Sequence, residues 1–183
     1  MARPALIDRS AILDAALGVA DEKGIDAVTM GAVASRLGVS AMALYRHVGT
    51  KSELLDGLVE RLLDEIPGQK GKLAPSAQLA AYADGVRTLA RRHPGAFVLL
   101  LARPARTDGA RRRRDELVDL LHRMGVPRSR ARRLERLIST MVLGYAASEV
   151  IGRFDAHSQH VRDGDWRALG DAVDQMIDAA ISR

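Results

Sequence analysis

Apolar residues recur along this chain at intervals of three and four, the spacing that gathers them on one face of a helix, and almost nowhere alternate as a half-buried strand requires. Ile12, Ala16, Val19 and Ala20 share a face over roughly Arg9 to Lys23, and Gly24 suits the stop. Thr29 is placed to cap a second, short helix whose inner residues are Met30, Val33, Ala34 and Leu37 and which Gly38 ends. Ser40 is placed to cap a third, about Ala41 to His47. Thr50-Lys51-Ser52-Glu53 has the form of a capping box, in which the Thr hydroxyl takes the N–H of Glu53 and the Glu carboxylate reaches back to the N–H of Thr50. A fourth helix follows, with Leu54, Leu55, Leu58, Leu62 and Ile66 at helical spacing. Pro and Gly break the pattern over residues 67–75, the one clear linker. Beyond it the spacing predicts a helix over about Ser76 to Arg92, with Leu79, Tyr82, Val86 and Leu89 inward. An apolar segment Phe97–Leu101 follows the break at Pro94, then a helix over about Asp108 to Met124. The longest helix starts at Pro127 and reaches about Gly152; a polar loop over Arg153–Gly164 precedes a last helix, about Trp166 to Ile181. The expected fold is all-α: a three-helix head over residues 1–50, a connecting helix over 51–66 and a helical body over 67–183.

Composition narrows the chemistry. With 47% hydrophobic residues but only 3% aromatic, the core must be built mainly from Ala, Leu, Val, Ile and Met, a helix-forming set. The absence of Cys excludes disulfides, a thiolate nucleophile and Cys-ligated zinc. Asp8, Arg9 and Asp14 interrupt any signal-peptide core, and the best apolar run, Ala96–Ala102, is far short of a membrane span, so a cytoplasmic protein without a membrane partner is expected. The net charge of +5 is unevenly spread. Residues 1–66 carry seven Lys/Arg against ten Asp/Glu, a net of −3, whereas 103–136 carry twelve Arg against five acids, a net of +7. The cluster Arg111–Arg114 reads as a solvated helix face.

The segment 33–48, VASRLGVSAMALYRHV, is the strongest motif. Two short helices flank a turn at Gly38-Val39, Ala34 is small where the helices cross, and Leu44 and Val48 can pin the second helix on the first. This is the pattern of a helix-turn-helix, whose second helix enters the DNA major groove. An interacting helical hairpin with no DNA role has the same local pattern.

The run Leu37-Gly38-Val39-Ser40, Leu44-Tyr45-Arg46-His47-Val48 and Lys51-Ser52-Glu53-Leu54-Leu55 resembles the recognition helix and connecting helix of the TetR family, and Ile12 to Leu17 with Gly24 and Thr29 is similar to that family's first helix. The helix order after residue 75 resembles the body of the tetracycline-repressor branch. The resemblance implies a homodimeric transcriptional repressor that binds near-palindromic double-stranded operator DNA and is released by a small hydrophobic effector. It assigns Thr29, Tyr45, His47 and Lys51 to phosphates, and Ala41, Met42, Ala43 and Arg46 to bases. Arg3 and Arg9 would add charge from a flexible arm. Met30, Gly31, Ala41 and Met42 replace more polar family residues, so the operator sequence does not carry over.

For the effector pocket the helical faces nominate Tyr82, Val86, Phe97, Leu100, Leu117, Leu121, Met124, Met141 and Tyr145, residues that ordinary core packing also explains. The dimer is expected to use the two last helices, through Leu134, Ile138, Val150, Val173, Met176, Ile177 and Ile181. Tetracycline–magnesium is not the expected effector, because Pro67 stands near where that repressor offers a polar contact and His93 is a lone candidate ligand. His157 and His160 lie in the expected loop without a third ligand fixed by spacing, so no metal site and no cofactor are assigned. No phosphate-cradling glycine loop, paired-His motif or Ser/His/Asp arrangement is present, which argues against an enzyme. The alternative is a helical protein-interaction adaptor without sequence-specific DNA binding.

Overall fold

A computed structural model describes residues 7–68 and 73–182, and among these every regular element is a helix. Helix α1 spans Arg9–Lys23, α2 Met30–Leu37, α3 Ala41–Val48 and α4 Lys51–Glu65. The body holds α5, Pro75–Arg92; two four-residue helices, α6, Pro94–Phe97, and α7, Leu99–Ala102; and the longer α8, Asp108–Arg123, α9, Arg128–Val150, and α10, Gln159–Ile181. No helix is long and apolar enough to cross a membrane among the described residues.

Local chemistry sets most boundaries. Asp8 accepts the N–H of Ala11 at 2.8 Å and starts α1. Arg9 is therefore a helical residue, and it pairs with Glu60 at 3.5 Å instead of belonging to a flexible arm; Arg3 lies outside the described residues. Thr29 accepts the N–H of Ala32 at 3.0 Å, and Gly38, at φ 68° and ψ 32°, makes the left-handed turn between α2 and α3 that a β-carbon would resist. The capping box at Thr50 is complete: the carboxylate of Glu53 accepts the N–H of Thr50 at 2.8 Å, and the hydroxyl of Thr50 accepts the N–H of Glu53 at 3.3 Å. These bonds hold the Glu53 carboxyl below its ordinary pKa. Ser40 takes the cap position of α3, but its side chain makes no capping bond.

Helix α10 starts earlier than the sequence suggests. Ser158 caps it through the N–H of Val161, and Gln159 donates to Asp163 one turn on at 2.9 Å. Its first turns are polar because their inner side meets the Arg87–Glu149 charges, through Asp163 at 2.9 Å from Arg87 and Arg162 at 3.8 Å from Glu149, which removes the apolar periodicity that marks a helix. His160 is exposed on this helix and His157 on the turn before it, and no cluster of three metal-ligating side chains occurs among the described residues.

One apolar core runs from the head into the body. Ile12, Ala16, Val33, Leu44, Leu54 and Leu58 are fully enclosed or nearly so in the head, and Val86, Phe97, Leu117, Leu121 and Ile138 in the body. The two parts meet where α6 lies on α1. A β-carbon at Gly95 would stand 2.1 Å from the backbone oxygen of Ala20, so only glycine allows that approach. Beside it His93 bridges Asp21 of α1 and Glu65 of α4 through its two ring nitrogens, at 2.6 and 3.2 Å. In the body, Arg87 forks onto Glu149 at 2.7 and 2.8 Å, and Arg91 adds a third bond at 2.8 Å. The hydrogen bond from Arg87 is the main cause that pulls the Glu149 carboxyl down to about 2, against the opposing effect of burial.

Candidate nucleic-acid interface and the cavity behind it

Helix α3 is held by Leu44 and Val48, both buried against α1, α2 and α4, and this fixes which residues face outward. Met42 is 73% exposed and Tyr45 45%. Arg46 and His47 are also exposed, and Ala41 and Ala43 are partly covered. Thr29 and Lys51, at the starts of α2 and α4, are exposed too. Thr29 offers phosphate little from its cap-bonded oxygen, but its hydroxyl proton and the free N–H groups of the first turn remain.

The pairing of charges separates these residues from the rest of the head. Arg9 is tied to Glu60, Arg36 to Glu22 at 2.7 Å, and Arg61 to Asp14 and Glu65 at 3.0 Å each. Arg46 is the remaining described arginine of the head and connecting helix, and it has no acidic partner among the described residues. Tyr45, His47 and Lys51 likewise make no side-chain hydrogen bond or ion pair there. Four unengaged donors therefore stand on or beside one short helix, on a surface that also presents apolar Met42. That set can grip phosphate oxygens, reach a base edge by a two-pronged arginine contact and touch a thymine methyl.

Behind the head, α4, α5, α7, α8 and α9 enclose a cavity of about 200 Å³. Val59, Leu63, Leu100, Leu117 and Leu143 make its apolar walls. The lining is less apolar than the sequence suggests, because Arg103, Arg113, Arg114, Glu135 and Ser139 also face it. Glu135 is buried at 4% exposure and accepts from Arg114 at 3.2 Å and from the Ser139 hydroxyl at 3.1 Å. Tyr82 lines the same wall, and burial pushes its phenol above its ordinary pKa, so that it stays protonated. Two of the arginines leave the cavity to grip α4. Arg103 donates to Asp56 at 3.0 Å and to the carbonyl and hydroxyl of Ser52 at 3.1 and 2.7 Å, in the helix's first turn. Arg113 donates to the carbonyls of Leu63 and Ile66 at the other end.

Of the residues the sequence nominates for a pocket, Tyr82, Leu100 and Leu117 line this cavity. Val86, Phe97 and Leu121 are fully buried core instead, and Met124 closes the C-terminal end of α8. Met141 is half-buried away from the cavity, toward which α9 turns Glu135, Ser139 and Leu143. Tyr145 stacks on Phe154 and Trp166 with ring centres 5.2 and 5.4 Å away, and its hydroxyl donates to the carbonyl of Arg162. The cavity-lining residues that sequence reasoning missed are Arg103, Arg113, Arg114, Glu135 and Ser139; four of them are charged, and a charged residue normally reads as solvated.

The expected dimer surface also shifts. Leu134, Ile138, Val173 and Ile177 are buried within the single chain, because α9 and α10 first pack on their own body. Val150 and Met176 are half-buried and Ile181 is 42% exposed. The large apolar side chains left outward on or beside these two helices are Leu137, Ile151, Val161 and Ile181.

Comparison with known proteins agrees with this architecture. Residues 12–58 match the N-terminal domain of the bacterial regulatory proteins of the tetR family, and residues 79–179 match the tetracycline repressor-like C-terminal domain. The HTH-type transcriptional repressor DrrR1 of Streptomyces coeruleorubidus is 31% identical over 169 residues, which are 91% of this chain but 63% of DrrR1; the chain thus spans under two thirds of that relative's length. The structure of Streptomyces coelicolor ActR in complex with actinorhodin superposes with a TM-score of 0.83 at 18% identity, over 98% of this chain and all of ActR. Mycobacterium smegmatis BioQ gives 0.74 at 22% identity, and BioQ with its double-stranded DNA operator gives 0.71 at 22%, each over 91% of this chain and 98% of BioQ. With a helix-turn-helix head and a helical body that match the two halves of one family in order, this chain belongs to the TetR family of bacterial transcriptional regulators.

Proposed function

We propose that the chain is a ligand-responsive transcriptional repressor that binds palindromic operator DNA as a homodimer and leaves it when a small, mainly apolar molecule with a polar group fills the body cavity. The observation that carries this reading is that α4 belongs to both sites. Its first turn holds Lys51 and the capping box beside α3, and its inner face, through Val59 and Leu63, is a wall of the cavity. A ligand that favours a different placement of α4 shifts the head, and the shift is limited by the ligand's preference between the two placements. DrrR1's designation as a repressor and the contents of the ActR and BioQ complexes support the same assignment.

In the complex, α3 lies in the major groove with Arg46 on a guanine edge and Met42 and Ala43 against thymine methyls. Tyr45, His47, Lys51 and Thr29 hold the flanking phosphates. Leu137, Ile151, Val161 and Ile181 supply the apolar surface for a second copy, and two-fold pairing sets two α3 helices about one DNA turn apart.

The test is fluorescence anisotropy with duplexes that tile the DNA flanking the protein's own gene, over a series of salt concentrations. Salt-sensitive binding to a near-palindrome is expected, with the logarithm of affinity falling linearly in the logarithm of salt. Absence of such binding to any flanking duplex overturns the reading and favours a protein-interaction adaptor.

A further inference from the structure

Two cavities meet at Tyr82. The first is the 200 Å³ space described above; the second, about 110 Å³, lies between α5, α9 and α10. Among the described residues that line them, Tyr82 is common to both. Helix α9 shows one face to each, with Ser139 and Leu143 toward the first and Ile138 and Val142 toward the second. The second cavity is a mainly apolar groove, open on the side of the exposed Ser76, Ala80, Gly170 and Asp174. Ala80, Ala83 and Gly170 keep side-chain volume low there, and its polar residues, Ser76 and Asp174, are exposed ones. Tyr82 stands as a divider beside a fixed polar group, since Ser139, Glu135 and Arg114, which line the first cavity with it, are joined by hydrogen bonds from Ser139 and Arg114 to the Glu135 carboxylate.

We propose that Tyr82 is the partition that sets the length of effector the body accepts: the ligand is an amphiphile whose hydrogen-bonding head meets Arg114 and Glu135 and whose unbranched apolar tail is directed at the Tyr82 ring. This rests on the ligand-binding role given to the first cavity above. The Arg114–Glu135 pair selects a head group that both donates and accepts, as a phenol or alcohol does. The apolar walls reward each methylene added to the tail until the tail reaches the ring. The second cavity, with small residues along its open side, offers apolar walls to an alkyl tail, and the ring stands between it and the first.

The experiment is calorimetric titration of the full chain, without DNA, with 4-alkylphenols from ethyl to nonyl. The parent protein is expected to gain about fourfold in affinity per methylene, as burial of each CH₂ implies, and then to stop gaining at one chain length. In Tyr82→Ala the break moves to longer chains. Adding Ala83→Leu, which refills the second chamber, moves it back. Tyr82→Leu, which keeps an apolar side chain in the core, shifts the break in the same direction by less and serves if Tyr82→Ala does not fold. A break at the same length in the parent and in whichever variant is folded by circular dichroism overturns the proposal, as does absence of binding by the parent at every length. Because no operator is present, failure here leaves the DNA-binding reading standing, and failure of operator binding leaves this result standing.

Discussion

Arg113 joins the cavity to the end of α4, and its replacement has a calculable cost. Its Nε and Nη2 donate to the carbonyl of Leu63 at 3.2 and 3.1 Å, Nη2 also reaches the carbonyl of Ile66, and Nη1 pairs with Glu116 at 2.8 Å. The last carbonyls of a helix lack partners within it, and they carry the negative end of its dipole. The guanidinium satisfies two of these oxygens while 19% exposed, so water is a poor substitute. A hydrogen bond from a charged donor contributes about 1.5–3 kcal/mol, and with two carbonyls partly rehydrated Arg113→Met should cost about 2–4 kcal/mol. For a chain of this size that lowers the melting temperature by about 5–15 °C. Arg113→Lys keeps the charge at the helix end, a benefit of about 0.3–1 kcal/mol, but cannot fork, so it should recover only part of the loss. Thermal unfolding at one fixed protein concentration measures both, since a dimer's stability depends on concentration. Hydrogen exchange of the amides in the last turn of α4 locates the effect. If Arg113→Met melts within about one degree of the parent, the clasp contributes nothing and the account of how α4 is held is wrong.

Other perturbations test the remaining parts. Arg46→Ala should weaken operator binding by about 1–3 kcal/mol and relax preference at one base pair per half-site; equal loss on all sequences would deny it a base-reading role. Tyr45→Phe should weaken every sequence alike, and unchanged affinity would mean its hydroxyl meets no phosphate. Gly95→Ala places a β-carbon 2.1 Å from the Ala20 oxygen. It should therefore destabilise the protein in urea by about 1–3 kcal/mol, as overpacking does, whereas parent-like stability would mean that α6 and α1 separate without cost. The Glu149 carboxyl titrates near 2 in the folded chain against 4.5 ordinarily. A lowered folded pKa adds stability that is complete above 4.5 and disappears as pH falls toward 2. Glu149→Gln should be less stable at neutral pH and show a shallower acid limb between those values; an identical limb would remove Glu149 from the cause of acid unfolding.

The head was legible in the sequence because its signals are local. Thr29, Gly38 and the box at Thr50 each act within four residues, and the structure has all three bonding or turning as their chemistry requires. Ser40 shows the limit, since the cap residue type is present without the cap bond. The body was less legible because its decisive contacts join distant segments. Arg114 meets Glu135 across two helices, and each alone looks like a solvated charge. An apolar face also does not say whose surface it meets: Leu134, Ile138, Val173 and Ile177 have the spacing of an interface but are covered within their own chain. Periodicity found α10 only where its inner face becomes apolar, seven residues after its true start at Gln159.

The internal pairing of Arg9, Arg36 and Arg61 has a consequence for target search. Charges already neutralised by their own acids displace few cations from a duplex, and residues 1–66, the head with its connecting helix, carry more acid than base. Such a head gains little from anonymous DNA. If Arg46 reads a base as proposed, such a head would slide poorly, dissociate quickly from random sequence and linger only at that base, so that selectivity in a genome full of decoys would come from weakness elsewhere rather than from strength at the site.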